Sequence, residues 1–345
     1  MAQRLRFAVI GCGDFAPHFT PYIQRVADVV AICDPNPRGR ERLQSALDLY
    51  LPEYEDAETL LDHESIDAVA ILSANHTHRD ITISAARRGR HVFCEKAMAP
   101  SVPDCWEMVR ACERAGVRLM VGHKRRLRPP WARMIELRES LGPVFAISSI
   151  QYFDARPYNF QGWWTRASQC GGLLDVADVH IVDWTMAMCG PIHSVRAVAA
   201  PRIDHRYDFP DTMHVEFSFQ SGAVVSLTAS MSYPLLKFRE AGGPHVICER
   251  GGMRFVPFLD HIDLDWQGLD DPAPRHERFD DLGFDHAFSL EIGDFVRWIT
   301  EGREPCLTWR EGLRCVEAME AAHRSAAEGG SIVKLPLYPE LEPQG

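Results

Sequence analysis

The sequence has no CxxC pair anywhere, although it holds ten cysteines in 345 residues. Scattered at positions 12, 33, 94, 105, 112, 170, 189, 248, 306 and 315, they read as reduced, mostly buried thiols. That spacing excludes a zinc ribbon and a disulfide framework, and no metal site is expected. The chain also lacks a positive balance: 37 Lys and Arg against 48 Asp and Glu leave a formal net charge of −11. Without a basic footprint, neither nucleic acid nor an anionic membrane surface is an expected partner. Any phosphate on a ligand must then be held by local features, such as a helix N-terminus or a few placed arginines. No apolar run approaches the ~18 residues needed to span a bilayer. The start, "MAQRLRFAVIGCGDF", enters an apolar strand without a signal-peptide core, so a cytoplasmic location is expected. Internal repeats and low-complexity segments are missing as well.

What is present divides at about residue 122. Before it, short apolar runs such as "RFAVIGCG", "VVAICD", "IDAVAILS", "HVFCEKAM" and "VRLMVGHK" alternate with helical stretches such as "RGRERLQSALD" and "PDCWEMVRACERAG". Strands alternating with helices imply an α/β fold with a doubly wound parallel sheet. After it, "GPVFAISSIQYFD", "HSVRAVAA", "DTMHVEFSFQ" and "GAVVSLTASMSY" read as longer alternating strands, with "QSGA" a hairpin turn. Helical stretches flank them, among them "PPWARMIELRES", "VHIVDWTMAMCG" and the closing "WREGLRCVEAMEAAHRSAAEGG". The expectation is a Rossmann domain over 1–122 and an α+β domain over 123–345 with a largely antiparallel open sheet.

"GCGDFA" follows the first strand directly. Gly11 allows a tight turn, Gly13 lets backbone amides approach a pyrophosphate, and Ala16 lets helix and strand pack closely. Asp14 and Phe15 complete the turn and are expected at the cofactor with it. Asp34 ends the second strand, where it would take ribose hydroxyls and repel a 2′-phosphate, favouring NAD. Arg38 and Arg40 nearby leave NADP open, and a plain strand-end turn residue is the bland alternative for Asp34. "SANHTH" lies at the C-terminal edge of the sheet, where ligands bind in open α/β folds. There Ser73, Asn75, His76 and His78 are expected to line a polar cleft rather than hold a metal. "CEKAMAP" brings Glu95 and Lys96 to the same edge. A lysine there can donate to a substrate hydroxyl, and its pKa falls where it is partly desolvated.

Together these motifs resemble the glucose–fructose oxidoreductase / inositol dehydrogenase / rhizopine-catabolism family (Gfo/Idh/MocA). The family's GxGxxA is "GCGDFA", its TPNxxH is "SANHTH", its EKP is "EKA" and its VGxxxRxxP is "VGHKRRLRP". Its GGxLxDxGxHxxD helix is "GGLLDVADVHIVDW", residues 171 to 184. The resemblance implies NAD or NADP in the first domain, and a second domain whose sheet is a substrate wall and an interface for a homodimer or homotetramer. It implies hydride transfer between nicotinamide and a ring carbinol of a sugar, cyclitol or related polyol. By motif, Glu95 and Lys96 meet the cofactor, Lys96 polarises or deprotonates the hydroxyl, and His180 is the acid/base or its partner. Asn75, His123 and Arg126 would shape the cofactor–substrate junction. In "YNFQGWWTR", Trp163, Trp164 and Arg166 would offer a polyol ring a flat surface and a donor, although ordinary packing explains the tryptophans equally well.

Two departures stand out. Ala97 replaces the proline of EKP, which removes a restraint on Lys96. In the histidine helix, the family's aspartate position four before His180 is Val176, and Asp178 takes the usual glycine position. At about 100° per residue, Val176 and Asp183 share the face of His180, while Asp175 lies ~140° away. Asp183 is the retained aspartate. Asp175 would join His180 in catalysis only by capping the helix start or through a bulge. Two other readings remain at this point: a redox-assisted lyase or glycosidase with tightly bound NAD, and an NAD-binding regulatory protein whose catalysis has decayed.

Overall fold

The strand–helix alternation of the first 122 residues folds as expected. In the computed structural model, which describes residues 4–156, 161–233, 242–258, 261–280 and 283–343, the N-terminal sheet has six parallel strands. They are β1 (Arg6–Ile10), β2 (Asp28–Cys33), β3 (Glu53–Tyr54), β4 (Ala68–Ile71), β5 (His91–Glu95) and β6 (Leu119–Gly122). Their order is β3-β2-β1-β4-β5-β6, the doubly wound arrangement. β4 is buried at every position, as a strand covered by helices on both faces must be. The helices between are α1 (Ala16–Val26), α2 (Pro37–Leu47), α3 (Ala57–His63), α4 (His78–Arg87) and α5 (Val102–Ala115). Their starts follow local rules: Asn36, Asp56 and Ser101 each accept a first-turn amide, of Arg38, Thr59 and Asp104 respectively.

The chain forms two compact units: residues 1–123 with 288–313, and residues 124–287 with 314–345. The segment 288–313, expected in the second domain, therefore belongs to the first. Periodicity marks the helical parts of this segment, the end of one helix and the start of the next, but not which sheet they cover. Its partners are aromatic. Phe295 meets Phe7 and Phe93 edge-on, at 6.1 and 5.9 Å, and Phe288 meets Phe19 at 5.5 Å. Trp309 lies 5.9 Å from Trp106 of α5.

The second unit is built on a nine-stranded sheet. In chain order its elements are α6 (Pro129–Leu141), β7 (Val144–Tyr152), α7 (Ala167–Cys170), α8 (Leu173–Ala177), α9 (Val179–Cys189), β8 (Ile192–Ala199), β9 (Thr212–Phe219) and β10 (Val224–Ser230). They continue with β11 (Gly242–Cys248), β12 (Gly251–Pro257), β13 (Ile262–Gly268) and β14 (Arg275–Phe279). Helix α10 (Phe284–Glu301) carries the chain into the first unit, α11 (Trp309–Ala327) returns it, and β15 (Val333–Lys334) closes the sheet. The strand order is β14-β13-β12-β11-β7-β10-β9-β8-β15, antiparallel except for the pairing of β7 with β10. The hairpin read at "QSGA" joins β9 to β10, where Phe219 donates its amide to Ala223 at 2.9 Å. Strands β11 to β14 carry weak sequence signals, being interrupted by glycine, proline and charge; β14 reads RHERF. On one face Trp131 of α6 packs against Trp184 of α9 and Phe255 of β12, at 5.0 and 4.6 Å. The other face remains partly open.

Candidate active site

The glycine turn of the first unit is shaped by what it excludes. Gly11 leaves β1 at φ +100° and donates its amide to Cys33 at 2.8 Å. A Cβ there would collide with the Leu72–Ser73 backbone, so both the angle and the space demand glycine. At Gly13, by contrast, a Cβ would meet nothing within 4 Å. Helix α1 then begins at buried Ala16, with no acidic residue in its first turn and no side-chain cap from Phe15. Its positive end is thus suited to an anion. The Asp34 carboxylate is pinned beside the turn by the amides of Cys12 and Asn36, at 2.7 and 2.8 Å. Each carboxylate oxygen retains acceptor capacity for a ribose hydroxyl. Burial, with Asp34 and Cys33 adding to it, pushes the Cys12 thiol up to about 12, so the turn carries no thiolate against a phosphate.

Gly11, Cys33 and Asp34 line an open cleft with Ile10, Glu55, Ser73, His76 and Thr77. The set fits a dinucleotide: room at Gly13, a helix N-terminus and a fixed carboxylate for the ribose. Arg40, which left NADP open, is buried and held 3.4 and 3.8 Å from Glu53 and Glu55, with a further bond to the Asp34 carbonyl. Arg38 is exposed. Two residues expected at the cofactor have other work. Phe15 stacks on Phe19 at 5.5 Å, and exposed Asp14 pairs with Arg42 at 2.8 Å.

At the ends of β4 and β5 one expectation needs correction. His78, expected in the cofactor cleft, is fully buried. Its Nε2 faces the Ser73 carbonyl at 3.1 Å and its Nδ1 faces those of Ala97 and Met98, at 3.1 and 3.2 Å. Burial holds its pKa below the usual histidine range. The ring therefore ties the β4 turn to the β5 turn. Asn75 is buried in the turn before α4, and the Ser73 hydroxyl lies 2.6 Å from that of Thr77. Glu95 is buried at the end of β5, where its carboxylate accepts the Lys96 amide at 2.7 Å. Lys96 is half-buried, and the Lys96–Ala97 peptide is cis. His123, the last residue of this unit's first segment, is fully buried.

In the second unit the histidine stretch is two helices, not one. Gly171 and Gly172 lead in at φ +96° and +129°, α8 makes five residues, and Asp178 at φ −123° and ψ 2° separates it from α9. His180 is half-buried at the head of α9. Asp175, considered as a partner for His180, neither caps the helix nor depends on a bulge. Its buried carboxylate faces Nε2 of His323 on α11 at 3.3 Å. Burial pushes that carboxyl above the ordinary aspartate range, against the pull of His323. Sequence reasoning missed His323 because 148 positions separate the pair and α11 offers only helical periodicity.

Asp183 is fully buried and receives Arg126 through Nε at 2.8 Å and through a second guanidinium nitrogen. Burial pushes its carboxyl up, and Arg126 and Arg125 pull it down. Trp163 and Trp164 stack with centroids 3.9 Å apart, both half-buried. The first residues of the stretch they belong to, 158–160, lie outside the described residues. Arg166 is exposed and donates to the carbonyls of Thr165 and Arg206, at 3.3 and 3.2 Å.

Both units match family models. Residues 5–123 match the model described as "Oxidoreductase family, NAD-binding Rossmann fold", and residues 132–254 match the GFO/IDH/MocA C-terminal domain. The chain belongs to the GFO/IDH/MocA oxidoreductase family. The resemblance read from the ordered motifs is thereby confirmed, as is the cofactor expected at the glycine turn: the N-terminal unit is an NAD-binding domain. Among GFO/IDH/MocA relatives, the chain is 27% identical over 350 residues to D-apiose dehydrogenase of Paraburkholderia graminis, covering 96% of this chain and 90% of that one. It is 26% identical to scyllo-inositol 2-dehydrogenase (NAD(+)) of Bacillus subtilis, covering 95% and 96%. The WlbA dehydrogenase of Bordetella pertussis, solved in complex with NADH and UDP-GlcNAcA, superposes with a TM-score of 0.85 at 24% identity, covering 98% of this chain and 99% of that one. That likeness shows that the chain has the full two-unit GFO/IDH/MocA fold.

Proposed function

We propose that this oxidoreductase interconverts a ring carbinol and the corresponding ketone of a sugar, cyclitol or related polyol. Bound NAD supplies the hydride acceptor or donor for that step. Lys96 polarises the reacting hydroxyl, and His180 takes or returns its proton. Arg126 and Asp183 brace the wall around His180, while Trp163, Trp164 and Arg166 offer the ring a flat surface and a donor. The observation that carries the reading is the order of the intact parts in a chain of this family. An open glycine turn comes first, then Lys96 after β5, then His180 at the head of α9. The named relatives act on an aldopentose and an inositol, which supports a polyol substrate.

The test is reduced-nicotinamide absorbance with a panel that includes D-apiose, scyllo-inositol and myo-inositol. Turnover is expected with NAD, and Lys96→Ala is expected to lose ~10²–10⁴-fold, the usual scale of general acid–base assistance. Full activity in that variant removes Lys96 from the mechanism. With Asp34 fixed at the turn and Arg40 held by Glu53 and Glu55, NADPH is expected to bind more weakly than NADH.

The same reading makes the protein a homodimer or homotetramer. Ile150, Val198, Val224 and Ile247 stand 41 to 59% exposed on the sheet of the second unit. Ala146 pairs with both Val224 and Ile247, which puts them on one face. An apolar sheet face of this kind is what a second copy would cover. Ile247→Glu is expected to shift the sedimentation coefficient toward that of a monomer. Among the described residues no helix is long and apolar enough to cross a membrane, and none of the cysteines is in a disulfide. We assign the enzyme to the cytoplasm, where such thiols stay reduced.

A further inference from the structure

Helix α8 is too short to hold its own position. Five residues make little more than one turn, and an isolated turn of helix is unfavourable in water. Its entry is two glycines at positive φ, which give the backbone no stiffness of their own. Yet α8 sets where α9 starts, and α9 starts with Val179 and His180. Something outside the segment must fix it.

Three observations name that something as α11. Nε2 of His323 meets the buried carboxylate of Asp175 at 3.3 Å. The two glycines are shaped around this pair: a Cβ on Gly171 would run into the Asp175 carboxylate, and a Cβ on Gly172 would lie 2.8 Å from the His323 ring. Two turns earlier on the same helix, the Cys315 thiol faces the Val179 carbonyl at 4.0 Å. The segment from Gly171 to Val179 is therefore held against α11 within α8, through Asp175, and lies beside the Cys315 thiol where α9 begins. Asp175 is committed to that contact.

We infer that His323 is a positioning residue that, by holding Asp175 between the paired glycines, sets the α8–α9 junction and so aims the His180 imidazole. This rests on the reading of His180 as the group that serves the reacting hydroxyl. It also gives the displaced aspartate a different task from the one that the family position four before the histidine would imply. The carboxylate orients the histidine helix from behind rather than through contact with the imidazole.

The first readout needs no substrate. Protein labelled with 13C and 15N in histidine is titrated by NMR, with the His180 signal assigned by its loss in His180→Asn. Gln places its amide nitrogen near where Nε2 of histidine lies, whereas Asn falls short of Asp175 and Leu cannot donate. His323→Leu and His323→Asn are expected to move the His180 resonance and its titration midpoint, and His323→Gln to restore both. With the panel polyol that the native enzyme oxidises fastest, kcat is expected to fall about 10- to 100-fold in the Leu and Asn variants, the scale of a small misplacement. KM is expected to stay within about twofold, because the ring-binding surface is untouched. An unmoved His180 signal in both the Leu and Asn variants overturns the inference, as does a Gln variant that behaves like Leu. If no polyol turns over, the catalytic reading falls, while the resonance still decides whether His323 sets His180.

Discussion

The two glycine turns of this protein use the same residue for opposite ends. Around Gly13 the absent side chain leaves open space beside a helix N-terminus, ready for a ligand. Around Gly171 and Gly172 the space is already filled, by Asp175 and by His323. The first turn is a socket for something that arrives, and the second is a joint closed by the chain itself. A glycine pair in a sequence therefore does not announce a ligand site. What a Cβ would meet decides which of the two it is.

Substitutions at the two turns should separate these uses. The largest effect is expected from Gly11→Ala, where the added methyl meets backbone at φ +100°. We expect at least ~3 kcal/mol of destabilisation and loss of measurable NADH binding by fluorescence titration. Next comes Gly172→Ala, with φ +129° and a ring in the way. A loss of about 2–3 kcal/mol is expected, read as a fall of several degrees in Tm, with NADH affinity kept. Gly13→Ala should give the reverse pattern: Tm nearly unchanged, but NADH binding about tenfold weaker, or ~1.4 kcal/mol, because the methyl occupies the approach to the phosphates. If Gly13→Ala lowers Tm and spares NADH, the contrast between socket and joint is lost.

The smallest effect is expected from Asp175→Asn, and it depends on pH. Burial and Glu320 raise the folded-state pKa of this carboxyl, and His323 opposes them. A raised folded pKa means stability present in full below the unfolded value, about 3.9, and lost as pH rises through the folded value. The Tm of the native protein minus that of Asp175→Asn should therefore decline from about pH 4 toward neutrality. A difference that grows with pH would mean that the carboxylate form is the favoured one.

The legibility of the sequence differed along the chain. Local chemistry was readable: short apolar runs alternating with helical stretches marked the first five long strands, "GCGDFA" marked the turn, and "QSGA" marked the hairpin. Asp34 and Lys96 follow from strand ends, which a single window of sequence displays. Long-range pairing was not readable. Nothing near Asp175 points to His323, and nothing near Arg40 announces that Glu53 and Glu55 will hold it. His78 looked like a cleft residue because its neighbours are, yet burial assigns both ring nitrogens to carbonyls. The α8–α9 break was hidden for another reason: a helical wheel assumes one continuous helix, and Asp178 interrupts it.

The return of the chain into its first unit sets an order of events during synthesis. Residues 288–313 are made after the whole run from 124 to 287, yet Phe288 and Phe295 close over Phe7, Phe19 and Phe93. At ~5–20 residues per second, the nascent nucleotide-binding unit waits on the order of 10–30 s with that aromatic surface uncovered. The domain that appears first on the ribosome is thus among the last to be completed, and its vulnerability to aggregation is greatest while the second unit is being made.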